Sequence, residues 1–388
     1  MKILIISTQV PYPTHDGATI RVFNLLKELS RKHDVFLATI VRGPTEKHDL
    51  EAIRPFCQEI HAASMPRSHW KRWAQILTAP FVAEPHLVRI NRSVELQQIV
   101  SRLASVVDAI QAEFPQGGQY INGFAGIKIL DQHNVEADIL RYNCRFDRSL
   151  VRRAFDYVQV RKMAQFETRL CRQVDAVLAT SADDASVLRR FNPNVLVVPN
   201  GVAETTLGGN HSGPFVTFTG LMSYRANVDA MLFFREMIWP AILKAEPSAK
   251  LCIVGKNPPP VIAGLRSKQI VVTGEVEDVD VYLRQTSVFV APLRVGSGTR
   301  IKILQAMSHG LPVVSTSLGC KGISLENGRD IVIEDDPIAF AQRVISLLRD
   351  PVERSRIGRN GRDLVHQQYT WRSIGARLNE AYGQWASA

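Results

Sequence analysis

The chain reads as an α/β protein made of two successive doubly wound, Rossmann-like domains. Three observations carry this. Short apolar runs alternate with segments of helical period along the 388 residues. The alternation breaks at a polar, glycine-rich stretch, residues 205–214, and then restarts. Residues 294–316, with the apolar run they follow, spell a complete strand–loop–helix–strand unit. The apolar run Ser287-Val-Phe-Val-Ala291 is its strand, and Gly296 and Gly298 allow a tight loop. Residues 299–309 favour helix, Gly310 is placed to cap it, and Pro312 leads into the strand Val313-Val314-Ser315-Thr316.

Length agrees, since domains of about 190 residues each are the natural division of such a chain. An apolar fraction of 45% with 22% charged residues is ordinary globular composition. No apolar run reaches the roughly 18 residues of a spanning helix. Residues 1–6 are too short a run for a secretory signal and read as a first buried strand. Cys57, Cys144, Cys171, Cys252 and Cys320 are scattered without CxxC spacing, so neither a disulfide framework nor a zinc site is expected. The expected compartment is a reducing cytoplasm.

In order, residues 3–8 read as a strand, 11–17 as a turn-rich loop ending in Gly17, 18–31 as a helix and 35–41 as a second strand. Gly17 therefore lies beyond the carboxyl end of a parallel strand, where ligands of such sheets bind. Residues 94–114 read as one helix, 127–130 as a strand, 141–172 as one long helix, 176–180 as a strand and 182–191 as a helix. After the break come strands at 215–219, 250–254 and 270–272, helices at 226–243 and 279–285, and the glycine-loop unit. Helices at 335–349, 351–368 and a last one from about 373 complete the chain. The expected domains are 1–202 with 373–388, and 203–372.

The net charge of +10 is concentrated in residues 141–172, where nine cations face three acids. Such a patch suits an acidic head group, a pyrophosphate-linked acceptor or nucleic acid, and equally a solvated helix face. Residues 65–77 interleave cations with Trp70, Trp73, Ile76 and Leu77, a pattern shared by membrane-surface helices and by helices packed on their own domain.

The glycine loop carries chemistry. A helix N-terminus offers free N–H groups to an anion, and Gly296, Ser297, Gly298 and Thr299 bring the backbone close. Arg300 and Lys302 place two cations where the helix dipole disfavours them, which a bound phosphate explains. Lys302, Gln305 and His309 share a helix face. Asp278-Val-Asp280 has the look of a metal-binding pair, but acidic residues at a helix start are routine and no metal is expected. No Gly-Lys-Ser/Thr sequence closes a Walker loop.

Gly220-Leu-Met-Ser-Tyr-Arg-Ala-Asn-Val-Asp-Ala230, Val272-Thr-Gly-Glu-Val-Glu-Asp278 and Gly296-Ser-Gly-Thr-Arg-Ile-Lys-Ile-Leu-Gln-Ala-Met307 together resemble the retaining GT-B glycosyltransferases of family 4 (glycosyl transferases group 1), above all the exopolysaccharide branch. The loop at 11–17, Asp131-Gln-His-Asn-Val-Glu136 and Val198-Pro-Asn-Gly-Val202 resemble the same group's N-terminal half. The resemblance implies two Rossmann-like domains facing across a cleft, with the last helix crossing back to the first. It implies transfer of a sugar from a nucleotide-diphosphate donor, such as a UDP-sugar, to a glycan or lipid-linked acceptor, without a further cofactor and without nucleic acid. Peripheral contact with the inner membrane face, through the basic first domain, fits that picture.

The family holds its donor with two glutamates in the glycine-loop segment; here their positions fall on Ser297 and Gln305. Gln305 still offers a hydrogen bond to a ribose hydroxyl, without the charge-assisted strengthening of a carboxylate. An arginine and lysine of the family reach the diphosphate from the loop after the second domain's first strand. This chain has only Arg225 there, so Arg300 and Lys302 are expected to share its work. By the same resemblance His133, with Asn134 and Glu136 as lesser candidates, contacts sugar or acceptor, Gly17 admits the sugar and phosphate, and residues 274–277 border the nucleobase. Two other readings fit the pattern less well: an epimerase-like enzyme, and a nucleotide-sugar-binding protein of the same fold without turnover.

Overall fold

The computed structural model describes the chain except residues 15, 66–74, 77, 147–148, 206–212, 296–299 and 388, and the side chains of 80, 142, 143, 146 and 150. Two compact units form, Met1–Pro199 with Ile374–Ala388, and Asn200–Ser373.

The first unit is a seven-stranded, wholly parallel sheet of β1 (Lys2–Ser7), β2 (Asp34–Val41), β3 (Glu59–Ser64), β4 (Ala109–Glu113), β5 (Ile127–Gln132), β6 (Ala176–Ala179) and β7 (Val195–Val197). Their order across the sheet is β3-β2-β1-β4-β5-β6-β7. The second holds β8 (Phe215–Thr219), β9 (Lys250–Val254), β10 (Ile270–Val272), β11 (Val288–Ala291), β12 (Val313–Ser315) and β13 (Val332–Ile333), ordered β10-β9-β8-β11-β12-β13. Both sheets reverse direction of growth beside their own first strand, between β1 and β4 and between β8 and β11. The crevice beyond the strand ends at such a reversal is where doubly wound sheets take ligands.

The strands form because their residues are apolar on both faces and are covered on both. Leu4, Ile6, Ile110, Ala112, Leu130 and Val177 pack into one continuous core of the first unit. In the second, Val216, Phe218, Leu251, Val288 and Val290 line one face, while Phe289, Ala291 and Val313 meet Ile303, Leu304 and Met307 on the other.

Two element assignments are corrected. Residues 94–114 are not one helix: Val94–Leu103 is helical and Ala109–Glu113 is the central strand β4, fully buried. Small and apolar residues at 106–114 satisfy either period, and burial between β1 and β5 selects the strand. Residues 141–172 are likewise two helices, Glu136–Phe146 and Leu150–Gln173, the second opened by Ser149 accepting from the Arg152 amide. Residues 66–74, which hold Trp70 and Trp73, lie outside the described residues.

The last helix, Trp371–Ser387, starts in the second unit and packs in the first from Ile374 onward. Gly375 lets it approach the helix Gly17–Leu29, because a Cβ there would stand 2.3 Å from the Glu28 Cβ. Asn379 Nδ2 donates to the Glu28 carbonyl at 3.1 Å, and the buried Tyr382 hydroxyl donates to Gln111 Oε1 at 2.8 Å. Gly375→Val is therefore expected to destabilise the first unit by about 1–3 kcal/mol through overpacking, seen as a lowered first transition in calorimetry.

Candidate functional site

In the first unit the register of the sheet assembles a polar group. Glu113 on β4 pairs directly with Asp131 on β5, so their side chains rise from the same face. Side chains alternate along a strand, so Gln111, two residues before Glu113, and His133, two after Asp131, share that face. Arg21, from the helix Gly17–Leu29, descends onto them. That helix is fixed by a capping box in which Asp16 accepts from the Thr19 amide at 2.9 Å and Thr19 Oγ1 accepts from the Asp16 amide at 3.2 Å.

Arg21 is fully buried and grips Asp131 with two bonds, Nε to Oδ2 at 2.9 Å and Nη2 to Oδ1 at 2.8 Å. Its remaining nitrogen donates to the Val198 carbonyl at 2.7 Å. Burial pushes the Asp131 carboxyl up and Arg21 pulls it back; the bidentate geometry leaves it the anion of the pair. His133 is 6% exposed, with Nε2 2.8 Å from Glu113 Oε2. Burial lowers its pKa to about 3 and raises that of Glu113 to about 7, so the ring is neutral. The Phe114 ring lies on it with centroids 3.7 Å apart, from a backbone at φ 60°, a left-handed conformation costly for a bulky residue.

The turn that presents His133 is held from below. Thr180 Oγ1 donates to the His133 carbonyl at 3.1 Å. The Glu167 carboxylate accepts from the amides of Glu136 at 2.8 Å and Ala137 at 2.9 Å, capping the next helix from another segment. His133, just past the end of β5, is thus set into the sheet end with its side chain buried. Glu136 opens that helix, and burial raises its carboxyl to about 7. Gly17, exposed, is the first residue of its helix, at the reversal beside β1.

Glu113, Asp131 and His133 bring their ligating atoms within 4.8 Å of one another. The set nevertheless does not fit a metal. Both Asp131 oxygens are taken by Arg21, Glu113 Oε1 accepts from Gln111 Nε2 at 2.7 Å, and the guanidinium charge opposes a second cation.

In the second unit the reversal lies between β8 and β11, and the helix Ile301–Ser308 follows β11. Gly296, Ser297, Gly298 and Thr299 lie outside the described residues. The helix closes as expected at Gly310 (φ 72°), whose amide reaches the Met307 carbonyl at 2.8 Å while the Leu311 amide reaches Ala306 at 3.1 Å. Arg300 stands at the N-cap position. Lys302 turns its ammonium inward, 2.7 Å from Asn227 Oδ1 and 4.0 Å from the centre of the Phe218 ring. Desolvation first, and the Arg300 charge second, hold its pKa well below the ordinary value. Gly220, at the end of β8, makes the room, since a Cβ would stand 2.6 Å from that ammonium. Among the described residues this ammonium meets one neutral acceptor and a ring face, and a bound anion would compensate its charge further. Arg225 opens the helix Arg225–Phe233 from an exposed position beyond β8.

Gln305 and His309 face elsewhere than Lys302. Gln305 Nε2 donates to Asp280 Oδ1 at 3.3 Å, and His309 Nε2 lies 3.0 Å from the same oxygen. Asp280 was read from sequence as an ordinary helix start; its amide does bond Asp278 Oδ1 at 2.8 Å, but its carboxylate is the partner of Gln305. Other residues missed from sequence are Arg21, Glu113 and Asn227. Of these only Arg21 had a legible signal, a charge on the apolar side of an amphipathic helix. Arg294, at the head of the glycine-loop unit, pairs with Asp229 at 2.7 and 3.1 Å over the Phe233 ring and serves packing.

Anion binding is expected to raise the Lys302 pKa, so nucleoside diphosphate should bind with proton uptake at pH values above the lowered pKa. Calorimetry in buffers of different ionisation enthalpy reads this directly, and Lys302→Met should abolish the uptake and weaken binding about 10–100-fold. Gln305→Glu would place two carboxylates about 3 Å apart, raising the pKa of one. A raised carboxyl pKa contributes stability at low pH that is lost as pH rises through it. The variant's melting deficit should therefore be smallest near pH 4, widen toward pH 8, and vanish in combination with Asp280→Asn.

Residues 213–350 match the family model described as glycosyl transferases group 1. The lipopolysaccharide core biosynthesis mannosyltransferase LpcC of Rhizobium leguminosarum bv. viciae is 26% identical over 273 residues, covering 63% of this chain and 75% of that protein. The fold is that of sucrose-phosphate synthase from Thermosynechococcus elongatus, with TM-score 0.72, 18% identity and both chains covered in full. It is also that of Anabaena Alr3699/HepE, whose structure is in complex with UDP, with TM-score 0.69 and 12% identity, covering 99% of this chain and 100% of the other. Two Rossmann-like sheets of this order make the architecture GT-B; with residues 213–350 matching the group 1 model and mannosyltransferases among its relatives, the chain is a glycosyltransferase.

Proposed function

We propose that the enzyme moves a sugar from a nucleoside-diphosphate donor to a glycan or lipid-linked acceptor with retention of configuration, in the synthesis of a cell-surface or exported polysaccharide. The observation that carries the donor class is the enclosed Lys302 ammonium at the strand reversal of the group 1 domain. A departing diphosphate gains about one negative charge beyond the two it carries in the donor, and a cation placed there stabilises that added charge more in the transition state than in the ground state. Arg300, at the head of the same helix, and Arg225 add to the field, and the loop of Gly296, Ser297, Gly298 and Thr299 supplies amides. Gln305, with Asp280 behind it, is assigned to the ribose hydroxyls.

UDP is favoured as the nucleotide by the UDP complex of Alr3699/HepE, and a surface-glycan acceptor by the name of LpcC. In a retaining reaction without an enzyme nucleophile, the acceptor hydroxyl attacks the face the diphosphate leaves, and a phosphate oxygen takes its proton. His133 is assigned to hold the sugar or acceptor hydroxyl, as a neutral imidazole with one donor and one acceptor nitrogen, and Gly17 to admit sugar and phosphate at its helix start. No helix among the described residues is long and apolar enough to cross a membrane. The basic helix Leu150–Gln173 is the surface we assign to contact with an anionic membrane carrying a lipid-linked acceptor.

A panel of UDP- and GDP-sugars, read as nucleoside diphosphate release with the product's anomeric configuration determined by NMR, tests the proposal. The expected result is release from a UDP-hexose with an α-linked product from an α-linked donor. Absence of binding to every nucleoside diphosphate, or an inverted product, would overturn it.

A further inference from the structure

The first unit holds a relay of hydrogen bonds whose directions are fixed at every link except one. The Tyr382 hydroxyl donates to Gln111 Oε1 at 2.8 Å. That fixes the Gln111 amide, whose Nε2 donates to Glu113 Oε1 at 2.7 Å. Glu113 Oε2 then meets His133 Nε2 at 2.8 Å. At this last link either atom can carry the hydrogen. If the carboxyl is protonated, it donates to Nε2 and the ring's own hydrogen sits on Nδ1. If the carboxyl is ionised, Nε2–H donates to it and Nδ1 presents a lone pair. The ring is neutral in both states, and the two differ by one proton on the pair.

We infer that Glu113 is a positioning residue for His133, and that the protonation of this carboxyl decides whether Nδ1 acts toward substrate as a hydrogen-bond donor or as an acceptor. The inference rests on the reading that His133 meets the sugar or acceptor. The surroundings are built to leave that one proton as the variable. Glu113, Asp131, Arg21, Gln111 and Tyr382 are at most 2% exposed, so water does not set the link. Asp131, on β5, is committed to Arg21 from the helix Gly17–Leu29, and its Oδ2 stays 3.8 Å from His133 Nε2. Tyr382, from the last helix, is kept neutral by burial, with a pKa raised well above the ordinary phenol. Asp16, at the cap of the Arg21 helix, is the remaining charge acting on the imidazole. The Phe114 ring fixes the imidazole plane, so exchanging tautomers changes its chemistry without turning it. Burial places the Glu113 transition at about pH 7.

Glu113→Gln mimics one state. Gln111 Nε2 holds the side-chain oxygen at position 113, so the new amide nitrogen faces His133 Nε2 and fixes the hydrogen on Nδ1. Histidine-¹⁵N NMR of the full chain reads the tautomer without turnover. In the wild type the His133 signals should change from the Nδ1–H to the Nε2–H pattern with a midpoint near pH 7. In Glu113→Gln they should keep the Nδ1–H pattern from pH 5.5 to 8.5, and the limb near pH 7 in the wild-type kcat profile should be lost. If that variant does not fold, the wild-type titration decides alone. One tautomer throughout that range, or an imidazolium forming near the ordinary histidine pKa, overturns the inference. A tautomer change in a chain whose transfer survives His133→Gln upholds the pair and removes the catalytic reading of His133 instead.

Discussion

The first unit depends on one ion pair. Arg21 and Asp131 lie wholly out of water, and neither would be tolerable alone. Removing one partner of such a pair costs about 3–5 kcal/mol, because the other is left charged and buried. The two bonds from the guanidinium tie the first helix to β5, and the third, to the carbonyl of Val198, ties both to the segment after β7. The same pair acts on the groups around it. Desolvation raises Glu113 to about 7 and lowers His133 to about 3, outweighing the Arg21 charge that pulls the Glu113 carboxyl down and the Asp131 charge that pulls His133 up.

The second unit solves the opposite problem with the same topology. Its strand reversal holds an ammonium that, among the described residues, meets one neutral acceptor and a ring face, where the first holds acids and a ring with their bonds directed. Each arrangement follows from what is placed one residue past a strand. Gly220 after β8 leaves space for Lys302, and Phe114 after β4, forced to a left-handed backbone, closes over His133.

Much of this was legible before the structure. Apolar strands covered on both faces and the capping glycine at 310 are local signals, and local signals survive in sequence. The cations Arg300 and Lys302 stood out because a helix start does not favour them. Glu113 was hidden for a physical reason: it ends a buried strand of small and apolar residues whose spacing satisfies a helix equally well. Nothing local tells a reader that β1 and β5 flank it. Asp280 was hidden by distance, since its partners Gln305 and His309 follow it by a full βα unit. A pattern scan saw Lys302, Gln305 and His309 as one face, but their true neighbours come from different strands' loops.

The last helix has a consequence for how the protein is made. Although the first unit opens the chain, its polar relay needs Tyr382, which leaves the ribosome only after all of Asn200–Ser373. The second unit, contiguous in sequence, can close while synthesis continues; the first must wait with Gln111, Glu113 and Arg21 uncovered on one face of its sheet. A nascent chain stalled after Ser373 but before Tyr382 would therefore present a finished second unit beside an unfinished first one, and recognition by chaperones would fall on the earlier-synthesised half.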